Sequence, residues 1–326
     1  MAARVPPLSM KKGGGAVSSA AAGLAGTSIG VIGLGIMGGA MAEALLATGH
    51  AVCGYDVAAH ARQRLKNTGG RPLASSDAVA ASAEVVITSL ASVAALDDVV
   101  SRIVGVGRDR LRTRILIETS TLPLGDKMRA MAALRRVGIA TLDCPVSGTA
   151  VRMKEGAWTI FASGSRAALR RILPLLHVFT RNVPYVGAYG NGTKMKLIAN
   201  HLVAIYNVAA AESLTFARKM GLDPRGVLAL FGPSPVVGNG VLRLRGAQMV
   251  ARKYAPATMK VEVWQKDMKV IGDMARAVDC PVPLFASCIP IYNAAMAQGL
   301  AVADTASVHE VLAGMAGIAT AQSRDG

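Results

Sequence analysis

Two rhythms of apolar and polar positions divide this chain. Up to about residue 190, short apolar runs alternate with segments whose apolar residues recur at helical spacing; beyond it only the helical spacing persists. The short runs predict strands at 29–32, 51–55, 85–89, 115–118, 139–143 and 158–162, with a closing strand at 182–186. Strands alternating with helices imply an open, mostly parallel, doubly wound α/β sheet whose ligands bind at the carboxyl ends of the strands. After a helical run at 39–46 inside the first half, the second half predicts helices at 195–220, 225–231, 263–278, 292–298 and 307–315. The expected organisation is a low-complexity tail over 1–28, an α/β domain over 29–190 and an all-helical domain over 191–326.

The longest predicted helix, 195–220, lacks Gly and Pro and is apolar on nearly every face, so it should be buried. Gly190 and Gly192 mark its beginning. Lys196 and Asn200 stand one turn apart on one stripe, and Asn207 falls roughly on the same line. A buried ammonium is costly unless it is paired or functional, and half-desolvation moves a lysine pKa toward neutrality, where it can transfer protons. From the helix alone two readings of Lys196 stand side by side: a proton carrier, or a first-turn lysine that reaches solvent.

Composition narrows the class. The 326 residues are enough for two cores, and 52% hydrophobic against 17% charged residues excludes a disordered chain. Lys196, Asn200, His201, Asn207 and Glu212 interrupt the long apolar helix, so no membrane span is expected and the chain reads as soluble and globular. A formal charge of +16, from 36 Lys and Arg against 20 Asp and Glu, fits an anionic partner without choosing among nucleic acid, an anionic surface and a small anion. Aromatics at 4%, with no zinc-finger spacing and no RNP-like motif, argue against nucleic acid. Cys53, Cys144, Cys280 and Cys288 include no CxxC pair and sit in apolar surroundings; they read as reduced core thiols of an intracellular protein, and no metal site is expected. Residues 1–28 contain no acid and carry Arg4, Lys11 and Lys12 before a Gly, Ala and Ser-rich stretch too mild for a secretory signal. They read as a flexible extension, or as sequence upstream of a start at Met10. Cytoplasm is the expected location, with a mitochondrial address as the alternative.

The chemistry begins after the first strand. Gly33, Leu34, Gly35, Ile36, Met37 and Gly38 form a GxGxxG turn between strand and helix, and Asp56 ends the next strand 18 residues past the third glycine. In such a unit the first glycine permits the turn, the second lets a pyrophosphate approach the backbone, and the third lets helix pack on strand. The phosphates sit at the helix N-terminus, and the acid accepts from the adenosine ribose hydroxyls. Asp56 therefore favours NAD; Arg62 and Arg64 just downstream keep NADP open, although a solvated helix face is the plainer reading of both. Three further loops follow strand ends: Leu90 to Ser92, Thr119 to Pro123 with Thr121, and Asp143 to Thr149. In the last, Pro145 and Gly148 shape a turn that leaves Ser147 and the amides of Gly148 and Thr149 free to hold a carboxylate; an ordinary Pro/Gly turn is the other reading.

Taken together, the GxGxxG turn, the Asp143 to Gly148 loop, the run from Gly190 through Lys196 to Asn200, and Lys266-Asp267-Met268 resemble the β-hydroxyacid dehydrogenases in order and approximate spacing. That family includes 3-hydroxyisobutyrate dehydrogenase and tartronate semialdehyde reductase. The resemblance covers roughly residues 29–312. It implies a Rossmann domain followed by a helical domain that builds a homodimer or homotetramer, with the active site between them. It also implies that Lys196 is the general acid/base and that Asn200, Ser147, Gly148 and Thr149 bind substrate. Thr121 and Lys266 would contact the cofactor near its nicotinamide end, and Leu90 would border it. Ala91, Thr149, Ala199 and Met268 depart from the usual family residues, and Thr149 and Ala199 bear on which hydroxyacid fits.

The expected activity is reversible hydride transfer between NAD(P) and a small β-hydroxyacid of 3-hydroxyisobutyrate, tartronate semialdehyde or threonate type. The same scaffold also serves imine reduction, against which the lysine at 196 argues. A non-catalytic nucleotide-sensing or chromatin-associated homologue is the rival from another class, kept open by the basic charge and tail.

Overall fold

The computed structural model describes residues 27–148, 153 and 155–318; the tail before residue 27, Thr149, Arg152 and Lys154 lie outside the described residues. Within the described residues the first strand β1 (Ile29–Ile32), with β2 (Val52–Tyr55), β3 (Arg71–Pro72), β4 (Val85–Thr88), β5 (Ile115–Glu118) and β6 (Ala140–Asp143), forms a parallel sheet in the order β3-β2-β1-β4-β5-β6. A short antiparallel strand, β9 (Ser163–Gly164), closes it beside β6.

The β1, β4 and β5 residues are buried throughout, as strands covered on both faces must be. Alternate side chains enter different cores. Ile29, Val31, Val85, Ile87, Ile115 and Ile117 pack with Met41 and Leu45 of α1 (Ile36–Ala47) on one face. Ile32, Val86 and Leu116 meet Leu96 and Val99 of α4 (Val93–Gly105) on the other. The sheet is thus α/β and doubly wound, and its strand order reverses between β1 and β4. That switch point opens a crevice at the strand carboxyl ends, where the GxGxxG turn and Leu90 both lie.

Two strand expectations are corrected. The run at 158–162 does not join the sheet as one strand: β8 (Thr159–Ile160) instead pairs antiparallel with β7 (Val146–Ser147) in a separate ribbon. The closing strand expected at 182–186 is reduced to isolated bridges, Thr159 with Asn182 and Ala162 with Tyr185. Pro184 lies between them and has no N–H to extend a ladder, though its carbonyl accepts from Ala162.

The helices of this half include α2 (Ala59–Asn67), α3 (Ser76–Ser82), α5 (Leu124–Arg136) and α6 (Arg166–Leu176). From α7 (Asn191–Lys219) onward the described chain is helical: α8 (Pro224–Phe231), α9 (Gly240–Ala251), α10 (Val261–Ala277), α11 (Pro283–Ala297) and α12 (Val308–Met315). Leu197, Ala204 and Leu214 of α7 share a core with Trp264 and Ile271 of α10, Phe285 and Tyr292 of α11, and Val308 of α12. Asp223 caps α8 through the Arg225 amide at 3.0 Å, with Pro224 in its first turn, as the sequence pattern indicates. Helix α9 escapes the pattern because Gly238, Gly240 and Gly246 read as loop; Gly246 in fact lets α9 approach Leu228 of α8. Helix α11 begins nine residues before the expected start, running through an internal Pro290. Full burial of α7 is also corrected: Ile198, Leu202, Tyr206 and Phe216 are exposed along it, because the other helices of this chain cover only part of its circumference.

Candidate active site

The GxGxxG turn has three glycines with three different reasons. Gly33 has φ +87°, and a side chain there would meet the Ser89 carbonyl at 2.2 Å; Gly38 would meet the Gly33 carbonyl at 1.9 Å. These two let α1 start tightly against β1 and β4. Gly35, by contrast, faces open space, with nothing within 4 Å of the place a methyl would take. No side chain caps α1 and no acid lies in its first turn, so its N-terminal amides and dipole are left for an anion. The geometry therefore fits a pyrophosphate, with the open approach at Gly35. Asp56 ties the turn to the end of β2: its Oδ2 accepts from Leu34 N at 2.6 Å and its Oδ1 from Ala58 N at 2.8 Å. Arg62 and Arg64 are not plain solvated charges. Arg62 Nη1 donates to the Val57 carbonyl at 3.1 Å and also to that of Asp56, and Arg64 Nη2 donates to the Leu34 carbonyl at 3.0 Å.

The other strand-end loops converge on the same edge. Leu90 N donates to Ser120 Oγ at 2.8 Å, which joins the loop after β4 to the loop after β5 that carries Thr121. Beyond β6, Ser147 sits in β7 opposite Thr159. Gly148 has φ +138°, and a Cβ there would lie 2.5 Å from Trp158 Cδ1, so this turn rests directly on the buried indole. Helix α7 starts against β6 and β7. Its first residue is preceded by Gly190 at φ +95°, and Gly192 is required by close approach: a methyl there would lie 2.4 Å from the Phe161 carbonyl and 2.7 Å from that of Asp143.

One turn further along α7 lies Lys196. Its side chain is half-buried. Burial lowers its pKa to about 8; the nearby Asp267 carboxylate opposes the shift, and the Lys266 ammonium adds to it. Asn200, buried on the next turn, donates from Nδ2 to Asp267 Oδ2 at 3.0 Å, and Lys266 Nζ lies 3.5 Å from Asp267 Oδ1. Burial raises the Asp267 pKa against the pull of both lysines and the Asn200 hydrogen bond. Asn207, on the same stripe, belongs elsewhere: it donates to Tyr292 Oη at 3.0 Å and to the Thr305 carbonyl at 2.8 Å inside the helical core.

Comparison with known proteins decides the family. Residues 28–187 match the NAD binding domain of 6-phosphogluconate dehydrogenase, and residues 190–312 match the NAD-binding domain of NADP-dependent 3-hydroxyisobutyrate dehydrogenase. The chain is 28% identical over 290 residues to 2-hydroxy-3-oxopropionate reductase of Escherichia coli K12, covering 88% of this chain and 98% of that protein. It is 29% identical over 290 residues to L-threonate dehydrogenase of Cupriavidus necator, covering 88% and 97%. The structure of Mycobacterium tuberculosis 3-hydroxyisobutyrate dehydrogenase superposes with a TM-score of 0.78 at 25% identity, covering 88% of this chain and 99% of that one.

The chain belongs to the β-hydroxyacid dehydrogenase family. It is an NAD(P)-dependent oxidoreductase with a Rossmann domain followed by a helical domain, and it uses a nicotinamide cofactor. Two groups of polar residues in this dehydrogenase escape a reading of the sequence for site residues. Asp267 stands beside Lys266 in the fourth motif, and that neighbourhood is its signal. The other group is a buried set made of Glu118, Lys127, Asp143, Ser163 and Thr193. Lys127 reads as one more charge on an amphipathic helix, yet Lys127, Ala130 and Leu134 recur at i, i+3 and i+7 and form the buried stripe of α5.

Proposed function

We propose that this dehydrogenase interconverts a three- to five-carbon β-hydroxyacid and its carbonyl form, with Lys196 as general acid/base. The observation that carries the reading is the setting of Lys196: an ammonium lowered to about 8, beside the Asn200–Asp267 pair, on a helix seated against the Ser147 ribbon. A group with that pKa is present in both protonation states near neutral pH, as reversible proton transfer needs. When bound, the nicotinamide supplies the hydride acceptor or donor.

In the oxidative direction neutral Lys196 takes the proton of the substrate hydroxyl; in the reductive direction the ammonium returns it. Asn200 holds the reacting oxygen. Its N–H side is engaged by Asp267, which turns the amide carbonyl away from that carboxylate and leaves it as an acceptor for the substrate hydroxyl or the Lys196 ammonium. Ser147 and the Gly148 amide hold the substrate carboxylate, with Thr149 as the third member of that set. Fixing that end sets the distance from the reacting carbon to the cofactor. Lys266 and Thr121 border the nicotinamide end; Gly33, Leu34, Gly35, Ile36, Met37 and Gly38 hold the pyrophosphate; Leu90 lies alongside.

The preferred cofactor is NAD. Each oxygen of Asp56 accepts one backbone amide and keeps a second lone pair for a ribose hydroxyl, while its charge repels a 2′-phosphate. Arg62 and Arg64 spend donors on backbone carbonyls of this same region. The exposed apolar side chains of α7 support a homodimer or homotetramer as the working form. The proposed location is the cytoplasm, with the mitochondrial matrix as the alternative.

The test is NAD- and NADP-linked absorbance change across C3 to C5 hydroxyacids, on wild type and Lys196→Ala in parallel. Activity with NAD that disappears in the variant, while cofactor binding persists, is the expected result. Undiminished turnover of Lys196→Ala removes Lys196 from the mechanism.

A further inference from the structure

The buried group around Lys127 reaches both the loop after β5 that carries Thr121 and the start of α7. Lys127 is fully buried in the first turns of α5, and its Nζ has three oxygen neighbours: Asp143 Oδ1 at 2.6 Å, Glu118 Oε2 at 2.5 Å and the Ser120 carbonyl at 2.9 Å. The Asp143 carboxylate and the Ser120 carbonyl accept hydrogen bonds from it, and the Glu118 carboxylate is its second ion-pair partner. Burial alone pulls this ammonium down, but the two carboxylates outweigh it and hold it above the ordinary lysine range.

From this hub one arm runs to the cofactor side. Glu118 Oε1 accepts from Ser120 N at 2.8 Å, and Ser120 Oγ accepts from Leu90 N. The loop between β5 and α5, with Thr121 next in sequence, is therefore held at its amide, its carbonyl and its hydroxyl. The other arm runs to the proton-transfer side. Asp143 Oδ2 accepts from Thr193 N at 2.8 Å, and its Oδ1 accepts from Thr193 Oγ1 at 2.8 Å. Ser163 Oγ lies 3.2 Å from Asp143 Oδ2 and accepts from Gly192 N at 3.0 Å.

These bonds are the cap of α7. Its own N-cap is Gly190, which offers no side chain, so two of its first-turn amides are satisfied by residues 29 and 50 positions away. One lysine between two carboxylates leaves a net negative charge inside the protein, and the positive end of α7 is what offsets it. Lys196 follows Thr193 by three residues, about one turn.

We infer that Glu118, Lys127, Asp143 and Thr193 are positioning residues of the reaction, fixing the proton carrier Lys196 relative to the loop that borders the hydride-transferring end of the cofactor. The inference rests on the acid/base reading of Lys196. Its mechanical consequence is specific: loosening the α7 cap beside β6 displaces Lys196 and leaves the GxGxxG turn, which follows β1 with β4 and β5 in between, untouched. A misplacement of about 1 Å at a reacting group costs on the order of a hundredfold in rate.

The experiment uses full-length enzyme with the hydroxyacid that the panel selects. Thr193→Val keeps the side-chain shape and removes the hydroxyl bond to Asp143. It is expected to lower kcat at least tenfold, to change the cofactor Kd less than twofold, and to raise the primary deuterium isotope effect on hydride transfer as chemistry becomes slower. Thr193→Ser restores all three. Ser163→Ala, which removes the partner of the Gly192 amide from a different strand, gives the same signature if Thr193→Val does not fold. A folded Thr193→Val with wild-type kcat and isotope effect, while Lys196→Ala is inactive, overturns the positioning role alone. Lys196→Ala with wild-type turnover overturns the premise instead.

Discussion

Asn200 and Asp267 share one buried hydrogen bond, Nδ2 to Oδ2 at 3.0 Å, and it joins the long helix α7 to α10 beside Lys196. The carboxylate does two things there: it selects which end of the Asn200 amide faces the cleft, and its charge holds the Lys196 pKa up against burial. Asp267→Asn should therefore move the Lys196 midpoint to lower pH. Oxidation needs neutral lysine, so wild-type kcat/KM should rise with pH through about 8, and the variant should rise at more acidic pH with a plateau about tenfold lower, within the range of general acid–base effects. A pH–rate profile in the oxidative direction measures both. An unmoved midpoint would show that Asp267 does not act on Lys196.

The same lowered pKa carries a stability consequence. A lysine at about 8 in the folded enzyme and in the ordinary range when unfolded means that between these values the unfolded chain binds more protons. Stability then rises with pH across that window, and the cost of burying the ammonium is fully present below it. Lys196→Met should raise the Tm at pH 7 while abolishing turnover, and the advantage should shrink as the pH rises from about 8 toward the ordinary lysine range. Melting curves at stepped pH read this directly. A Tm difference independent of pH would assign it to packing alone.

Two glycines of one motif should fail in different ways. Gly35→Ala places its methyl in open space, so the Tm should stay near wild type while cofactor affinity drops at least tenfold, because the methyl occupies the approach of the pyrophosphate. Gly38→Ala drives a methyl against the Gly33 carbonyl and should lower the Tm by several degrees as well as weaken binding. Cofactor titration with parallel melting separates them. Equal loss of Tm in both variants would contradict the assignment of Gly35 to the cofactor side.

The parallel sheet is legible in the sequence because its central strands are buried on both faces and therefore read as short apolar runs, and because each ends at a turn with distinctive chemistry. Lys196 and Asn200 are legible by contrast, as polar residues on an apolar helix. What stays hidden depends on partners distant in sequence. Lys127 looks exposed until Glu118 and Asp143 fold around it, and Thr193 looks like an ordinary first-turn residue until Asp143 reaches it from 50 positions away. Local composition also misleads. Gly246, which permits helix contact in α9, reads as loop, and Pro290 within α11 reads as a break. Arg62 and Arg64 look solvated because their acceptors are backbone carbonyls, which leave no trace in a side-chain pattern.

The Gly148 turn, proposed to hold the substrate carboxylate, yields the last prediction. Gly148 has φ +138°, a region that costs other residues about 1–3 kcal/mol, and a methyl there would also press on Trp158 Cδ1 at 2.5 Å. Trp158 is buried and lies at a tilt against Phe179, so it has little room to retreat. The turn must move instead, and with it Ser147 and the Gly148 amide. Gly148→Ala should raise KM for the hydroxyacid at least tenfold while leaving cofactor Kd within twofold, since the pyrophosphate turn lies across the sheet. Trp158→Phe trims the indole edge that the new methyl meets, so the double variant should recover part of the KM loss and the two effects should not add. Steady-state kinetics on the two single variants and the double variant complete the cycle. Strict additivity would mean that backbone strain at residue 148, rather than the indole beneath it, governs the turn.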